Sequence, residues 1–335
     1  MAEPDIIAPA PATLLDASVP SFGGTDPLAW HDLNKRAGPL VSGAIHIGID
    51  QDGRQPGVDP AHYDILLTTA AVATRPWVSV PAGRLDEMRR GLARSVRDNP
   101  VAAVTLARLL RITENLPFET ALEMESLAYS SLLGSGEFQC WLERRGPRST
   151  LLPQSSQPVT YHRSGPSVTL SLNVPQTRNA MTAAMRDALF EALVNVIEDP
   201  SCPAVTLQGE GRCFSTGGAL DEFGTTPDLM LAHLIRTRRS AALLLDRLGR
   251  RAAARLHGAC IGAGIEIPAA AAQVSARPDF WAQLPEVGMG LIPGAGGTVT
   301  IPRRIGRHRA CWMMLGGKRI GIERALEWNL VDSRC

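Results

Sequence analysis

The stretch Ala252-Ala253-Ala254-Arg255-Leu256-His257-Gly258-Ala259-Cys260-Ile261-Gly262-Ala263-Gly264-Ile265-Glu266 runs from an apolar strand through a glycine cluster into an alanine-rich helix. A helix start of this kind offers unpaired N–H groups and the positive end of a dipole. Close packing of helix on sheet is the other use of such glycines. Upstream, Ser167 to Leu172 reads as a strand, followed by a turn at Val174-Pro175-Gln176-Thr177. A helix runs from Thr182, a suitable N-cap, to Glu198, and Asp199-Pro200 ends it. Ala204 to Leu207 is the next strand, opening into Gly209-Glu210-Gly211, and a single long helix is expected over 228–248. Strand, helix, strand, helix, strand at these intervals describes a parallel sheet with crossovers, so residues 151–335 read as an α/β core.

Working toward the N-terminus, the texture changes twice. Residues 1–43 are rich in Pro, Ala, Gly and Ser, which predicts an extended arm. Short strands are expected at 44–49 and 65–67. From Arg84 the period is helical: Leu85, Met88, Leu92 and Val96 fall on one face, and Asn99-Pro100 ends that helix. Further helices are expected over 101–113, 117–133 (apolar members Phe118, Leu122, Met124, Leu127 and Leu132) and 136–145. Residues 44–150 thus form a mainly helical segment, and Ser149 to Pro158 reads as a linker.

Composition removes several functions. The 335 residues carry 34 Lys+Arg against 33 Asp+Glu, a net charge of +1, and 5% aromatic residues, so neither a basic stripe nor base-stacking rings favour nucleic acid as a partner. Cys140, Cys202, Cys213, Cys260, Cys311 and Cys335 are scattered without ligand spacing, which predicts reduced thiols and no metal site. No apolar run is long enough to span a membrane and no basic, apolar leader is present, so a cytoplasmic chain with no membrane partner is expected. There is no GxSxG elbow and no Walker motif, and Gly288-Met289-Gly290 lacks the third glycine of a dinucleotide fingerprint.

Three segments can carry chemistry. Cys213-Phe214-Ser215-Thr216-Gly217-Gly218 follows a strand, and its small residues let the backbone approach a ligand or simply make a tight turn. Glu266 precedes Ile267-Pro268-Ala269-Ala270, so it sits on an apolar helix. Burying even an uncharged polar group there costs about 2–7 kcal/mol unless it is partnered or has a task. Glu286 follows Pro285 at the close of a strand, ahead of the turn Pro293-Gly294-Ala295-Gly296-Gly297. Two carboxylates in one apolar cleft can share a water and differ in pKa, as paired acid and base work requires.

Together these segments resemble the crotonase superfamily, the enoyl-CoA hydratase/isomerase family. Leu170-Ser171-Leu172-Asn173-Val174-Pro175 with Arg178-Asn179-Ala180-Met181 is similar to its first strand and turn. Phe214 to Gly218 is similar to its oxyanion segment and Gly262 to Glu266 to its second glycine segment. Pro285-Glu286, Pro293 to Thr298 and Ile301 to Gly306 match its later signatures. The resemblance covers about 158–333.

It implies an α/β fold with a spiral ββα core and a helical cap that also makes a trimer contact. It implies hydration of a 2-enoyl-CoA to a 3-hydroxyacyl-CoA, with Glu266 and Glu286 as the catalytic acids. The backbone N–H groups of Thr216 and Ala263 are expected to hold the thioester oxygen. Ser215, Gly217, Gly218, Gly262 and Gly264 are expected to line the coenzyme A thioester, with no permanently bound cofactor and no metal. Isomerase, retro-aldol lyase, thioester hydrolase or a non-catalytic scaffold are the alternatives, and a homotrimer or hexamer is the expected assembly. Ala219 stands where the family has Asp, and Ala263 where it has Gly. The family's C-terminal helices do not follow Val331. Residues 84–146, closing on Phe138, Trp141 and Leu142, resemble that missing part in a permuted order; an unrelated helical domain, with the cap supplied by a neighbouring chain, is the other possibility.

Overall fold

A computed structural model of the chain describes residues 27–35, 43–146 and 155–335. The N-terminal part opens with four short parallel strands, β1 (Leu28–Asp32), β2 (Ile45–Asp50), β3 (Ile65–Thr68) and β4 (Val78–Ser79), paired in that order. Four helices follow: α1 (Leu85–Asp98), α2 (Pro100–Thr113), α3 (Phe118–Leu133) and α4 (Gly136–Arg145). Leu85, Met88, Leu92 and Val96 of α1 are all buried, as their spacing requires.

The core begins with the antiparallel pair β5 (Val159–Ser164) and β6 (Ser167–Leu172). Next come α5 (Ala183–Glu198), capped by the Thr182 hydroxyl on Met185 N–H, and β7 (Ala204–Gly209). Helices α6 (Leu229–Arg238) and α7 (Ala241–Leu248) lead to β8 (Ala252–Leu256), β9 (Ala259–Ile261), the single turn α8 (Ala263–Glu266), β10 (Gln273–Ala276) and β11 (Trp281–Gln283). The chain closes with α9 (Gly297–Ile305), α10 (Arg307–Gly316), β12 (Ile320–Gly321), α11 (Ile322–Glu327) and β13 (Ser333–Arg334). A six-stranded sheet runs β13-β10-β8-β7-β6-β5, parallel except for β5, and a three-stranded sheet runs β12-β11-β9. This is the α/β spiral ββα core expected from the sequence, with helices packed against it.

Two expectations need correction. The arm drawn over 1–43 contains β1, which pairs parallel with β2 in register Leu28 to Ile45; residues 1–26 and 36–42 of that arm lie outside the described residues. The long helix over 228–248 is two, because the Ser240 hydroxyl accepts from Leu243 N–H and starts a new helix. Part of the expected linker, 149–154, also lies outside the described residues.

The two parts share one apolar core, which runs from Ile45 and Leu67 through Leu92 and Leu106 to Leu207 and Trp328. Polar clamps reinforce the junction. Arg307 donates to the carbonyls of Tyr63 and Pro60 and to Glu114, and Arg309 donates to the carbonyls of Trp77 and Ala73. Both guanidiniums are buried, so these bonds offset a desolvation that would otherwise be costly.

Candidate active site

Gly262 carries φ of +52° and turns the chain from β9 into α8, a conformation that L side chains rarely adopt. All four residues of α8 are buried, because Gly264 lies directly on the Ser215 carbonyl, where a side chain would not fit. Glu266 is thereby carried into the interior. Its Oε2 accepts from the N–H groups of Ala295 (2.7 Å) and Gly297 (3.0 Å), in the turn that starts α9.

Glu286 follows β11 on a single 3₁₀ turn and is buried as well. Its Oε2 meets no hydrogen-bond partner among the described residues. The two acids converge: a methyl placed on Gly262 would stand 2.7 Å from Glu286 Oε1 and 3.7 Å from Glu266 Oε1. Twenty residues apart in sequence, they face one space.

One of the two backbone donors beside this space differs from those the sequence suggested. Thr216 N–H donates to the Arg178 carbonyl at 3.1 Å, so it is not available to a ligand. Gly218, two residues on, lines the cavity, and its N–H has no acceptor among the described residues. Neighbouring N–H groups are spent: Gly217 donates to Ser215 Oγ, and Ala219 to the Met181 carbonyl. On the facing segment Ala263 N–H opens α8 and is likewise unpartnered among the described residues, and Ala263 lines the same cavity. Gly217, with φ of +81°, brings the two segments together; its added Cβ would lie 3.4 Å from Ala263 N.

Ser215 is fully buried with its hydroxyl donating to the Asn179 carbonyl at 2.7 Å. Ser215 and Gly264 therefore pack against each other and do not line the cavity, contrary to the expectation that they contact the thioester. Gly217 and Gly262 act through turn geometry, which leaves Gly218 as the one lining residue of that group.

The cavity measures about 450 Å³. Its other walls come from α3 (Leu122, Glu125, Tyr129), from α6 (Ile235, Arg236) and from Met181 and Phe223. Glu125 was not singled out in the sequence. Its signal was the one that marked Glu266, an acid on the buried stripe of a helix, here at Phe118, Leu122, Glu125, Ser126, Ser130 and Leu133.

Burial dominates the electrostatics. It raises Glu266 well above the ordinary carboxylate range, with the neighbouring Glu286 and Glu125 adding to the effect. Burial brings Glu286 up to about 8, aided by Glu125. It brings Glu125 to about 7, against the opposing bonds from Thr298 and Gly296 and the Arg236 charge. The arrangement can exchange protons near neutral pH beside two N–H groups that have no acceptor among the described residues. Among the described residues no group of acids, histidines and cysteines is placed to hold a metal ion, and no helix is long and apolar enough to cross a membrane.

Comparison with known proteins matches this geometry to a family. Residues 166–335 match the family model for enoyl-CoA hydratase/isomerase. The chain is 34% identical over 165 residues to the putative enoyl-CoA hydratase/isomerase YngF of Bacillus subtilis, covering 49% of this chain and 63% of that protein. It is 32% identical over 163 residues to the 2,3-dehydroadipyl-CoA hydratase of Escherichia coli, with the same coverage of 49% and 63%. Among solved structures it is similar to an enoyl-CoA hydratase from Mycobacterium smegmatis (30% identity, TM-score 0.50, 53% of this chain and 70% of that one). It is also similar to one from Thermoplasma volcanium (26% identity, TM-score 0.50, 54% and 72%). The chain thus spans less than two thirds of the length of these curated relatives.

Proposed function

The chain belongs to the enoyl-CoA hydratase/isomerase family, and from that premise we propose that it adds water across the double bond of a 2-enoyl-CoA thioester. One observation carries this reading: two buried acids, Glu266 and Glu286, converge beside the unpartnered N–H groups of Gly218 and Ala263.

The thioester oxygen accepts from Gly218 and Ala263. These donors are fixed before the substrate arrives and strengthen as negative charge collects on that oxygen, a contribution of about 3–4 kcal/mol per donor. A water sits between the acids. An ionised carboxylate of the pair takes its proton as the hydroxyl oxygen bonds to the β-carbon, and the double-bond electrons move to the thioester oxygen as an enolate. The enolate collapses by taking a proton at the α-carbon from the other acid, whose raised pKa keeps it protonated near neutral pH. Glu286, with an unengaged oxygen, suits the base. Glu266, anchored by Ala295 and Gly297, suits the acid. The coenzyme A portion belongs to the substrate, and no resident cofactor enters a step.

The same reading gives the block 84–146 the place of the family's C-terminal cap, since α3 roofs the cavity. It also gives a trimer or pair of trimers as the assembly; sedimentation at the single-chain mass of 35.9 kDa would remove that part. The test of function is a panel of 2-enoyl-CoA thioesters, following loss of the conjugated ultraviolet absorbance. Hydration of at least one is expected. Exchange of the α-proton in deuterium oxide without any hydration would replace the reading with isomerisation, and neither event would remove it.

A further inference from the structure

The turn between Pro293 and α9 serves two masters. Ala295 and Gly297 N–H donate to Glu266 Oε2, while Gly296 N–H donates to Glu125 Oε1 at 2.7 Å and Thr298 N–H to Glu125 Oε2 at 2.8 Å. Thr298 Oγ1 adds a bond of 2.7 Å to the same Oε2. Four successive N–H groups therefore alternate between two carboxylates, one from the core and one from α3. Glu125 is 2% exposed and lines the cavity with Glu266 and Glu286.

We propose that Glu125 is a positioning residue of the active site. It clamps the turn 295–298 so that Ala295 and Gly297 aim Glu266, and it sets a third carboxyl in the same cavity as the Glu266–Glu286 pair.

A simple helix cap would explain the bonds to Gly296 and Thr298, but not the place of the carboxylate inside the reaction cavity. The groups facing Glu125 can be named by element. Tyr129 lies on α3 itself, Arg236 on α6, Glu266 on α8, and Glu286 after β11. His233 is turned to Ser126 and Glu123. Arg236 spends Nη1 on Ser126 and Ser130, so it biases Glu125 toward the anion without a direct ion pair. The Glu125 carboxylate adds to the burial that raises Glu266 and Glu286 above the ordinary carboxylate range.

The sign follows. Removing the Glu125 charge lets Glu266 and Glu286 ionise at lower pH. In Glu125→Gln one amide oxygen and one amide nitrogen face donors that both need acceptors, so the aim of Glu266 suffers as well.

This inference uses the proposed roles of Glu266 and Glu286, but its first test needs no substrate. Side-chain carboxyl titration of the full chain by ¹³C NMR should show a set of glutamates with midpoints above the ordinary range. In Glu125→Gln the remaining raised midpoints should fall by about half a unit or more. The second test is the acid limb of kcat, or of α-proton exchange, which should move in the same direction while kcat drops about tenfold or more and KM changes little. Glu125→Asp keeps the charge and shortens the reach, so it should lower kcat without moving the limb. Unmoved midpoints and an unmoved limb in Glu125→Gln, with only a loss of thermal stability, would reduce Glu125 to a helix cap and overturn the proposal. Should Glu125→Gln fail to fold, Glu125→Asp decides: kcat equal to that of the unaltered chain overturns the clamp. A wild-type chain without hydration but with raised midpoints that respond to residue 125 would sink the hydratase reading and leave this one standing.

Discussion

Glu266→Gln and Glu286→Gln keep side-chain volume and remove a titratable carboxyl. Each should lower kcat by about 10²–10⁴-fold with thioester affinity within a few-fold, because the loss falls on the transition state. The double variant should cost far less than the product of the two, as expected for residues sharing one water. Independent, multiplying effects in rapid-quench kinetics would rule out the shared water. The same carboxyls tax the fold. A carboxyl whose pKa is raised on folding binds its proton more tightly in the native state, so stability declines as pH rises from the unfolded value toward the folded one. For Glu286 that window runs from the ordinary value of 4.5 to about 8. Glu286→Gln should therefore melt above the wild type at pH 8 to 8.5, with the gap closing toward pH 5, as thermal scans across that range would reveal. Both acids were legible in the sequence because each interrupts an apolar run. Glu125 carried the same mark but sat among residues read only for helical period. Which N–H is free on the first segment was not legible: that Thr216 is spent on Arg178 and Gly218 is not depends on how Arg178 folds back, a contact set by tertiary structure.

Helix α3 shows what periodicity can and cannot deliver. Its span was expected almost to the residue, yet Leu127 is 40% exposed while Ser126 and Ser130 are buried. A stripe that binds Arg236 and the turn before α9 is partly polar, and hydrophobicity alone rotates it the wrong way. The break at Ser240 was missed for a related reason, since a serine cap inside an apolar helical run leaves the period almost intact. Glycine placement is the better guide to how α3 docks. Gly294 faces the Tyr129 ring so closely that a side chain there would overlap it. Gly294→Ala should push α3 outward, costing about 1–3 kcal/mol in denaturant unfolding and a larger share of kcat. Unchanged kcat in that variant would mean that α3 is a roof without influence on the acids beneath it.

At the scale of the whole molecule, the strands and helices of 28–145 are part of the core, because one apolar interior and the Arg307 and Arg309 clamps run across the junction. Deleting residues 1–150 should expose that interior and yield an aggregating or inactive product; a well-behaved, fully active 151–335 fragment would contradict this. Strands β2 and β3 were readable here, but β1 was not, since a five-residue strand in a Pro- and Gly-rich stretch has no pattern to separate it from an arm. The alternating donors of 295–298 have one more implication. A molecule in which α3 has not docked has no second carboxylate to hold that turn, so Glu266 stays misaligned until that long-range contact is made. Chemistry then switches on only in finished molecules, and turnover per mole reports directly on the fraction of a preparation that is completely assembled.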